Sequence, residues 1–110
     1  MSSKCDIRFI NLDGRYSGYR YFDHLAEITM SPGYNYKKVD RLIYFNEVRD
    51  WCNATWGTSM ERDEYIMLRQ LPQPIGYKLN PHWAYHVKAY ELRIYLATDK
   101  ELAWLDMRWK

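Results

Sequence analysis

The last part of the chain, residues 94–110, constrains the fold more than any other stretch. Residues 94–96 have the two-residue alternation of a half-buried β-strand. Thr98 is followed three residues later by Glu101, which is the spacing of a capping box at the start of a helix. The apolar residues that follow share one helical face: Leu102, Leu105 and Trp109. The sequence therefore predicts a C-terminal strand that runs directly into a short helix.

Alternating apolar residues also predict strands earlier in the chain. One strand is expected over residues 5–11, and a second over residues 20–30. Residues 31–34 read Ser-Pro-Gly-Tyr, which is typical of a type II turn. This turn makes residues 34–44 a plausible hairpin partner of the second strand. Residues 83–97 are rich in strand-forming residues and predict either one bent strand or two short ones.

Helical spacing predicts two helices in the middle of the chain. The first is expected over residues 46–56, with a start as early as Asp40, and Gly57 stands where a left-handed C-terminal cap would lie. The second is expected over residues 59–71, before the prolines at 72 and 74. Because no regular βαβ alternation is present, we expect a single α+β domain over residues 1–110. Its antiparallel sheet would carry two or three helices on one face.

The composition is unusual in its aromatic residues, which make up 17% of the 110 residues and include eleven Tyr and five Trp. A core of this size is not expected to hold them all, so some should face solvent or a partner. The net charge of +2 is too small for a typical duplex-binding domain. The sequence shows no signal-peptide pattern and no apolar run long enough to span a membrane. We therefore expect a cytoplasmic protein that is not inserted in a membrane and whose Cys5 and Cys52 are reduced.

Two segments interleave aromatic and basic residues and are the predicted binding surface. Its residues are Arg15, Tyr16, Tyr19, Arg20, Tyr21, Tyr34, Tyr36, Lys37 and Lys38. The segments flank the second predicted strand, and if that strand pairs with its neighbours, they could approach one another at one end. Tyr and Arg dominate protein-binding hot spots. In single-stranded nucleic-acid binding, Tyr rings stack on the bases, and Arg and Lys neutralise the phosphates. Ordinary solvated loops are the third interpretation.

No residue pattern indicates chemistry. His82 and His86 are four residues apart, as two zinc ligands can be, but they lack an obvious third ligand and are interpreted as ordinary histidines. Cys52 lies on a predicted apolar helical face and is interpreted as a core residue. The acidic residues of the second helix suit its first turn: Glu61, Asp63 and Glu64. The sequence therefore predicts no catalytic residue, no metal site and no cofactor. It favours a binding protein over the remaining alternative, a hydrolytic enzyme that uses the histidines or Cys52.

Two stretches carry a resemblance: residues 51–57, which read Trp-Cys-Asn-Ala-Thr-Trp-Gly, and the C-terminal stretch. Together they resemble a group of small bacteriophage proteins whose ends read Phe-x-Phe, a polar spacer, Asp-Ala and Phe-x-Leu-Arg-Trp. Here Ile94 and Leu96 replace the aromatics, and Glu101-Leu102 replaces Asp-Ala. The resemblance implies a phage origin and a small strand–helix domain. For a phage accessory protein in an infected cell, the Tyr/Arg-rich surface is expected to bind a host or phage protein. Exposed Tyr and Trp on an edge strand would also favour self-association.

Overall fold

Four strands and three helices build the part of the chain that the computed structural model describes, which is residues 5–30, 38–71, 79–88 and 91–109. The strands are β1 (Cys5–Asn11), β2 (His24–Met30), β3 (Trp83–Lys88) and β4 (Glu91–Leu96). The helices are α1 (Lys38–Trp56), α2 (Arg62–Gln70) and α3 (Asp99–Trp109). The predicted α+β class is confirmed, as is the C-terminal strand followed by a helix.

The strands form one antiparallel sheet in the order β1-β2-β4-β3. Strand β4 is inserted between β2 and β3, so β1 and β3 are the edges. In this register Ile94 pairs with both Ala26 of β2 and Tyr85 of β3. The two central strands therefore have neighbours on both sides and are the most deeply buried part of the sheet.

One face of the sheet is covered by α1 and α3. Because successive strand residues point to opposite faces, Ala26, Ile28, Ile94 and Leu96 share this face. The helices contribute fully buried side chains to the same cluster: Phe45, Val48 and Cys52 from α1 and Leu105 from α3. Leu105 belongs to the apolar stripe that the sequence predicts for the terminal helix.

The opposite face is covered in part by α2 and by the segment that precedes β2. Its apolar residues are Leu25, Ala84 and Tyr95, all fully buried. Phe22 and Tyr65 pack over them. Two of the three helices thus lie on one face and the third on the other.

The predicted strands at both ends of the chain are confirmed, with one shorter than expected. Strand β1 has the predicted bounds, and the stretch 83–97 forms two paired strands. Strand β2 begins at His24 instead of residue 20. The reason is that the amides of Tyr21 and Phe22 donate hydrogen bonds to the Gly18 carbonyl, at 2.9 and 3.0 Å, which makes this part of the segment a turn.

The two central helices are present, and α1 is longer than predicted. Helix α1 begins at Lys38, so the expected hairpin partner over residues 34–44 is wrong for 38–44; residues 34–37 lie outside the described residues. The start of α1 contains the strand-forming residues Val39, Ile43 and Tyr44, but helix formation buries Phe45 and Val48 on the sheet. Gly57 has a φ of 91°, as the predicted left-handed cap requires.

Most of the described Tyr and Trp side chains are partly buried and partly exposed to solvent. Among the described tyrosines, Tyr65 and Tyr95 are buried, Tyr19 is 41% exposed, and the rest are half-buried. Of the tryptophans, Trp83 is fully buried and Trp104 is 52% exposed. Among the described residues, the outward-facing rings are therefore limited to a few positions. No helix in the described ranges has the length and apolarity needed to span a bilayer.

The capping box predicted for α3 is formed. The backbone N–H of Thr98 donates to Glu101 Oε1 at 2.9 Å, and the Lys100 N–H donates to Thr98 Oγ1 at 3.2 Å. Glu101 is 5% exposed, and its second oxygen lies 3.0 Å from Nδ1 of His82. Burial alone would raise the pKa of Glu101, but the hydrogen bonds from Thr98 and His82 outweigh it and hold that pKa below its ordinary value.

We expect Thr98→Ala to lower the free energy of unfolding by about 1 kcal/mol, because it removes the hydroxyl that caps α3. Thr58→Ala is the matched control, since Thr58 is exposed and its carbonyl, which accepts from Asn80, is retained in alanine. Urea denaturation of both variants measures the difference. Equal stability of the two variants would contradict the capping role.

We expect Glu101 to contribute to acid sensitivity. Its folded pKa lies below the unfolded value of about 4.5, so its stabilisation is present above that pH and is lost as the pH falls through the folded pKa. Glu101→Gln should therefore make the free energy of unfolding less dependent on pH below 4.5. Urea denaturation of both proteins across this range measures it, and identical pH dependence would refute this contribution.

Candidate functional site

Residues 12–23 form a closed loop between β1 and β2, which we call the 12–23 loop. The Leu12 N–H donates to the Asp23 carbonyl at 2.9 Å, which brings the two ends together. The Asp23 N–H in turn lies 3.1 Å from the carbonyls of Leu96 and Ala97 at the end of β4. A compact surface loop with joined ends is an Ω-loop, a type that is frequently functional.

Two residues hold this loop against the sheet. Phe22 is buried, with its ring 4.9 Å from that of Tyr65 and 5.8 Å from that of Tyr95. Gly18 is also buried and has a φ of 89°, the left-handed region that glycine adopts without strain. A Cβ built at Gly18 would meet Phe22, Tyr95 and Ile66 at 3.5–3.7 Å. The loop is therefore anchored by its own side chains.

The loop and α2 enclose a cleft of about 450 Å³, which we call the aromatic cleft. Its loop side consists of residues 14–21, and its helix side of Asp63, Ile66 and Gln70. Ligand pockets in proteins span about 300–1,000 Å³, so the cleft is large enough for a side chain or a small ligand.

Arginines stack on the tyrosines of the cleft and its rim. The distances from guanidinium carbon to ring centre are 5.8 Å for Arg15 over Tyr16, 5.7 Å for Arg20 over Tyr19 and 4.9 Å for Arg69 over Tyr21. The Arg20 Nε also donates to the Tyr19 hydroxyl at 3.3 Å. These cation–π contacts hold flat, amphipathic groups at the surface.

The charges around the cleft are only partly neutralised. Arg15 forms an ion pair with Asp13 at 2.9 Å, and its hydrogen bond holds the pKa of Asp13 below the ordinary value. Arg62 forms a second pair with Asp63 at 2.7 Å. Arg20, within the described ranges, contacts Tyr19 and no carboxylate. Arg20 is therefore the loop cation whose charge remains available to a ligand.

The structure brings together the first half of the predicted binding surface. Arg15, Tyr16, Tyr19, Arg20 and Tyr21 all line the aromatic cleft.

Most of the second half of that surface is not described. Tyr34, Tyr36 and Lys37 lie outside the described residues, and Lys38 is the first residue of α1. The approach of the two segments to one another therefore stays a prediction.

A second polar region crosses the same face of the sheet beyond the apolar part. Cross-strand pairing aligns Arg8, Glu27, Arg93 and His86 in one row from edge to edge. The Arg93 Nε donates to Glu27 Oε2 at 3.0 Å, and the two side chains are 18% and 19% exposed. Alternating charges in a row stabilise one another across the strands.

His86 is the centre of this region. It is 3% exposed, its Nε2 lies 3.0 Å from Glu91 Oε2, and its Nδ1 makes a short hydrogen bond with Glu61. The Arg93 guanidinium lies 3.7 Å from the other oxygen of Glu91. A buried imidazole thus has a carboxylate at each ring nitrogen, an arrangement that the sequence analysis missed.

The other residues considered for chemistry have structural roles. His82 bonds Glu101 and stacks on Trp56, with ring centres 6.5 Å apart, so it and His86 do not form one ligand pair. Cys52 is fully buried, as predicted, and burial raises the pKa of its thiol. Asp63 and Glu64 lie in the first turn of α2, as expected.

A separate apolar groove of about 440 Å³ lies between α1 and α3. Trp51, Trp104, Met107 and Arg108 line it, and Met107 is 86% exposed. An exposed apolar patch of this kind often marks a contact surface.

Comparisons of the chain with protein-family models, with curated proteins and with solved structures gave no match.

We expect Gly18→Ala to lower the free energy of unfolding by about 1–2 kcal/mol, the cost of a left-handed conformation for a residue with a Cβ. Gly14→Ala is the matched control, because nothing lies within 4 Å of its Cβ position and its φ is not positive. Thermal or urea denaturation measures both. A Gly18→Ala variant as stable as Gly14→Ala would show that the loop conformation is unstrained for alanine.

Proposed function

We propose that this protein acts by stoichiometric binding of a protein partner, through the aromatic cleft between the 12–23 loop and α2. The observation that carries the proposal is the pair formed by Tyr19 and Arg20. Tyr19 is 41% exposed, and Arg20 stacks on it without a carboxylate partner among the described residues. Exposed Tyr and Arg on a rigid support are the residues that most often dominate binding energy.

The partner's chemistry follows from what the cleft leaves unsatisfied. Arg20 would pair with a carboxylate, and the Tyr19 ring and Ile66 would contact an apolar group. We therefore expect an acidic side chain next to an aromatic or aliphatic one on the partner. Because the anchored loop is already ordered, little conformational entropy would be lost on binding.

The charge distribution favours protein over single-stranded nucleic acid as the ligand. Arg15 is neutralised by Asp13, and Asp63 adds a carboxylate to the wall of the cleft. A nucleic-acid groove needs several cations in line to track phosphates. The resemblance to phage proteins favours a partner from the phage or from its bacterial host.

The test has two steps. Immobilised protein first captures partners from nuclease-treated bacterial lysate, and mass spectrometry identifies them. Calorimetry with the purified partner then measures Kd for Tyr19→Ala and Arg20→Ala. We expect each to weaken binding by about 2 kcal/mol, roughly 30-fold in Kd, with a stoichiometry of one to one.

Two matched variants serve as controls. Arg8→Ala removes an exposed arginine from β1, and Trp104→Ala removes an exposed ring from the α1–α3 groove. Both should bind like the parent protein. Loss of binding in the Trp104 variant alone would move the interface to the apolar groove and refute the cleft. Binding of single-stranded oligonucleotides that falls steeply with salt would instead identify a nucleic-acid ligand.

A further inference from the structure

Three potential metal ligands meet beside the charged row of the sheet, which is formed by Arg8, Glu27, Arg93 and His86. This site does not depend on what binds in the aromatic cleft. They are Glu61, Asp63 and His86, which we call the carboxylate–histidine cluster. Each offers one ligand atom, and these atoms lie within 4.8 Å of one another. Ligands bonded to one ion at about 2.0–2.2 Å are at most about 4.4 Å apart, so small side-chain adjustments would bring all three atoms within bonding distance of a single ion.

Backbone contacts fix the cluster before any ion binds. His86 projects from β3, where the preceding Tyr85 forms a parallel bridge with Glu61. The Tyr85 N–H donates to the Met60 carbonyl at 3.2 Å. Glu61 caps α2, and Asp63 stands in the first turn of that helix. The three ligands therefore come from two elements that are hydrogen-bonded to each other.

Both ring nitrogens of His86 face carboxylates: Glu91 Oε2 lies 3.0 Å from Nε2, and Glu61 is in short contact with Nδ1. An N–H on Nε2 can donate to Glu91 while Nδ1 binds an ion, which would take the place of the proton that Nδ1 shares with Glu61. Metal-bound histidines almost always donate their other ring N–H to a carboxylate or carbonyl in this way.

We propose that the carboxylate–histidine cluster binds one divalent transition-metal ion, with Zn²⁺ as the best-suited probe. The ligand set of one imidazole and two carboxylates suits a borderline-soft ion better than Mg²⁺, which prefers oxygen ligands alone. His86 is 4% exposed at its side chain, Glu61 30% and Asp63 69%, so the site opens to solvent on one side. Water would complete a four-coordinate shell there.

Arg62 does not block the site. Its two hydrogen bonds to Asp63 both go to Oδ1, at 2.9 and 2.7 Å, and its NH1 donates to the Tyr95 hydroxyl at 2.9 Å. The guanidinium is thus tied to the sheet. The second carboxylate oxygen, Oδ2, is the one that we assign to the ion.

The test titrates Zn²⁺ into tag-free protein by calorimetry, in a Cys5→Ser background so that this thiol does not compete. We expect one ion per chain. Asp63→Asn should weaken binding on the order of 10- to 100-fold, the size of effect typical for groups around a metal site. Because Asp63 is exposed, this variant should fold normally, which circular dichroism checks. Glu61→Gln should weaken binding to a similar extent.

Glu64→Gln is the matched control, since Glu64 is an exposed carboxylate in the same helical turn but outside the cluster. It should bind Zn²⁺ like the parent. Histidine ring ¹⁵N spectra should show the zinc-induced change at Nδ1 of His86, with His24 and His82 unaffected. No saturable binding, equal weakening by Glu64→Gln, or a change at His82 or His24 instead would each overturn the proposal.

Discussion

Burial of both faces of the two central strands is the constraint on which the rest of this structure depends. Adjacent residues in each strand, Leu25 and Ala26 in β2 and Ile94 and Tyr95 in β4, are all fully buried. Because they point to opposite sides, one layer of helices cannot cover them. Helices α1 and α3 cover one side, while α2 and the 12–23 loop must cover the other. The loop is therefore part of the core as well as part of the surface.

This arrangement also explains why the second face is divided. The apolar side chains of the α2–loop layer pack on the row that contains Leu25, Tyr95 and Ala84. The next row, which includes Glu27, Arg93 and His86, is polar, and its side chains satisfy one another across the strands. Charges removed from water are tolerated when they are paired and hydrogen-bonded. The aromatic cleft and the charged row are thus the two products of one incompletely covered face.

The local parts of the fold could be predicted from the sequence, and the long-range parts could not. Thr98 and Glu101 contain the whole signal for the start of α3, because the capping box closes within four residues. Strand β1 and the cap at Gly57 are local in the same sense. Helix α1 was misjudged at its start because Tyr and Ile favour strands, and only packing on the sheet decides otherwise.

The candidate site shows the same division. Five residues of the predicted surface line one cleft, because residues 15–21 are consecutive. The neighbours of His86 were missed because Glu91 reaches it through the pairing of β3 with β4, and Glu61 through its bridge to Tyr85. The useful signal was the alternation of Glu91, Arg93 and Tyr95, which places two charges on one strand face. Only the pairing of β4 with β3 places that face next to His86.

Asp63 belongs both to the wall of the aromatic cleft and to the carboxylate–histidine cluster. A cation held by this carboxylate would change the electrostatic field that a guest in the cleft experiences, and a guest that drew Asp63 toward itself would loosen the cation. Thermodynamic reciprocity makes the two effects equal in size. A single exposed aspartate would then couple the binding of a cation to the binding of a guest in the cleft.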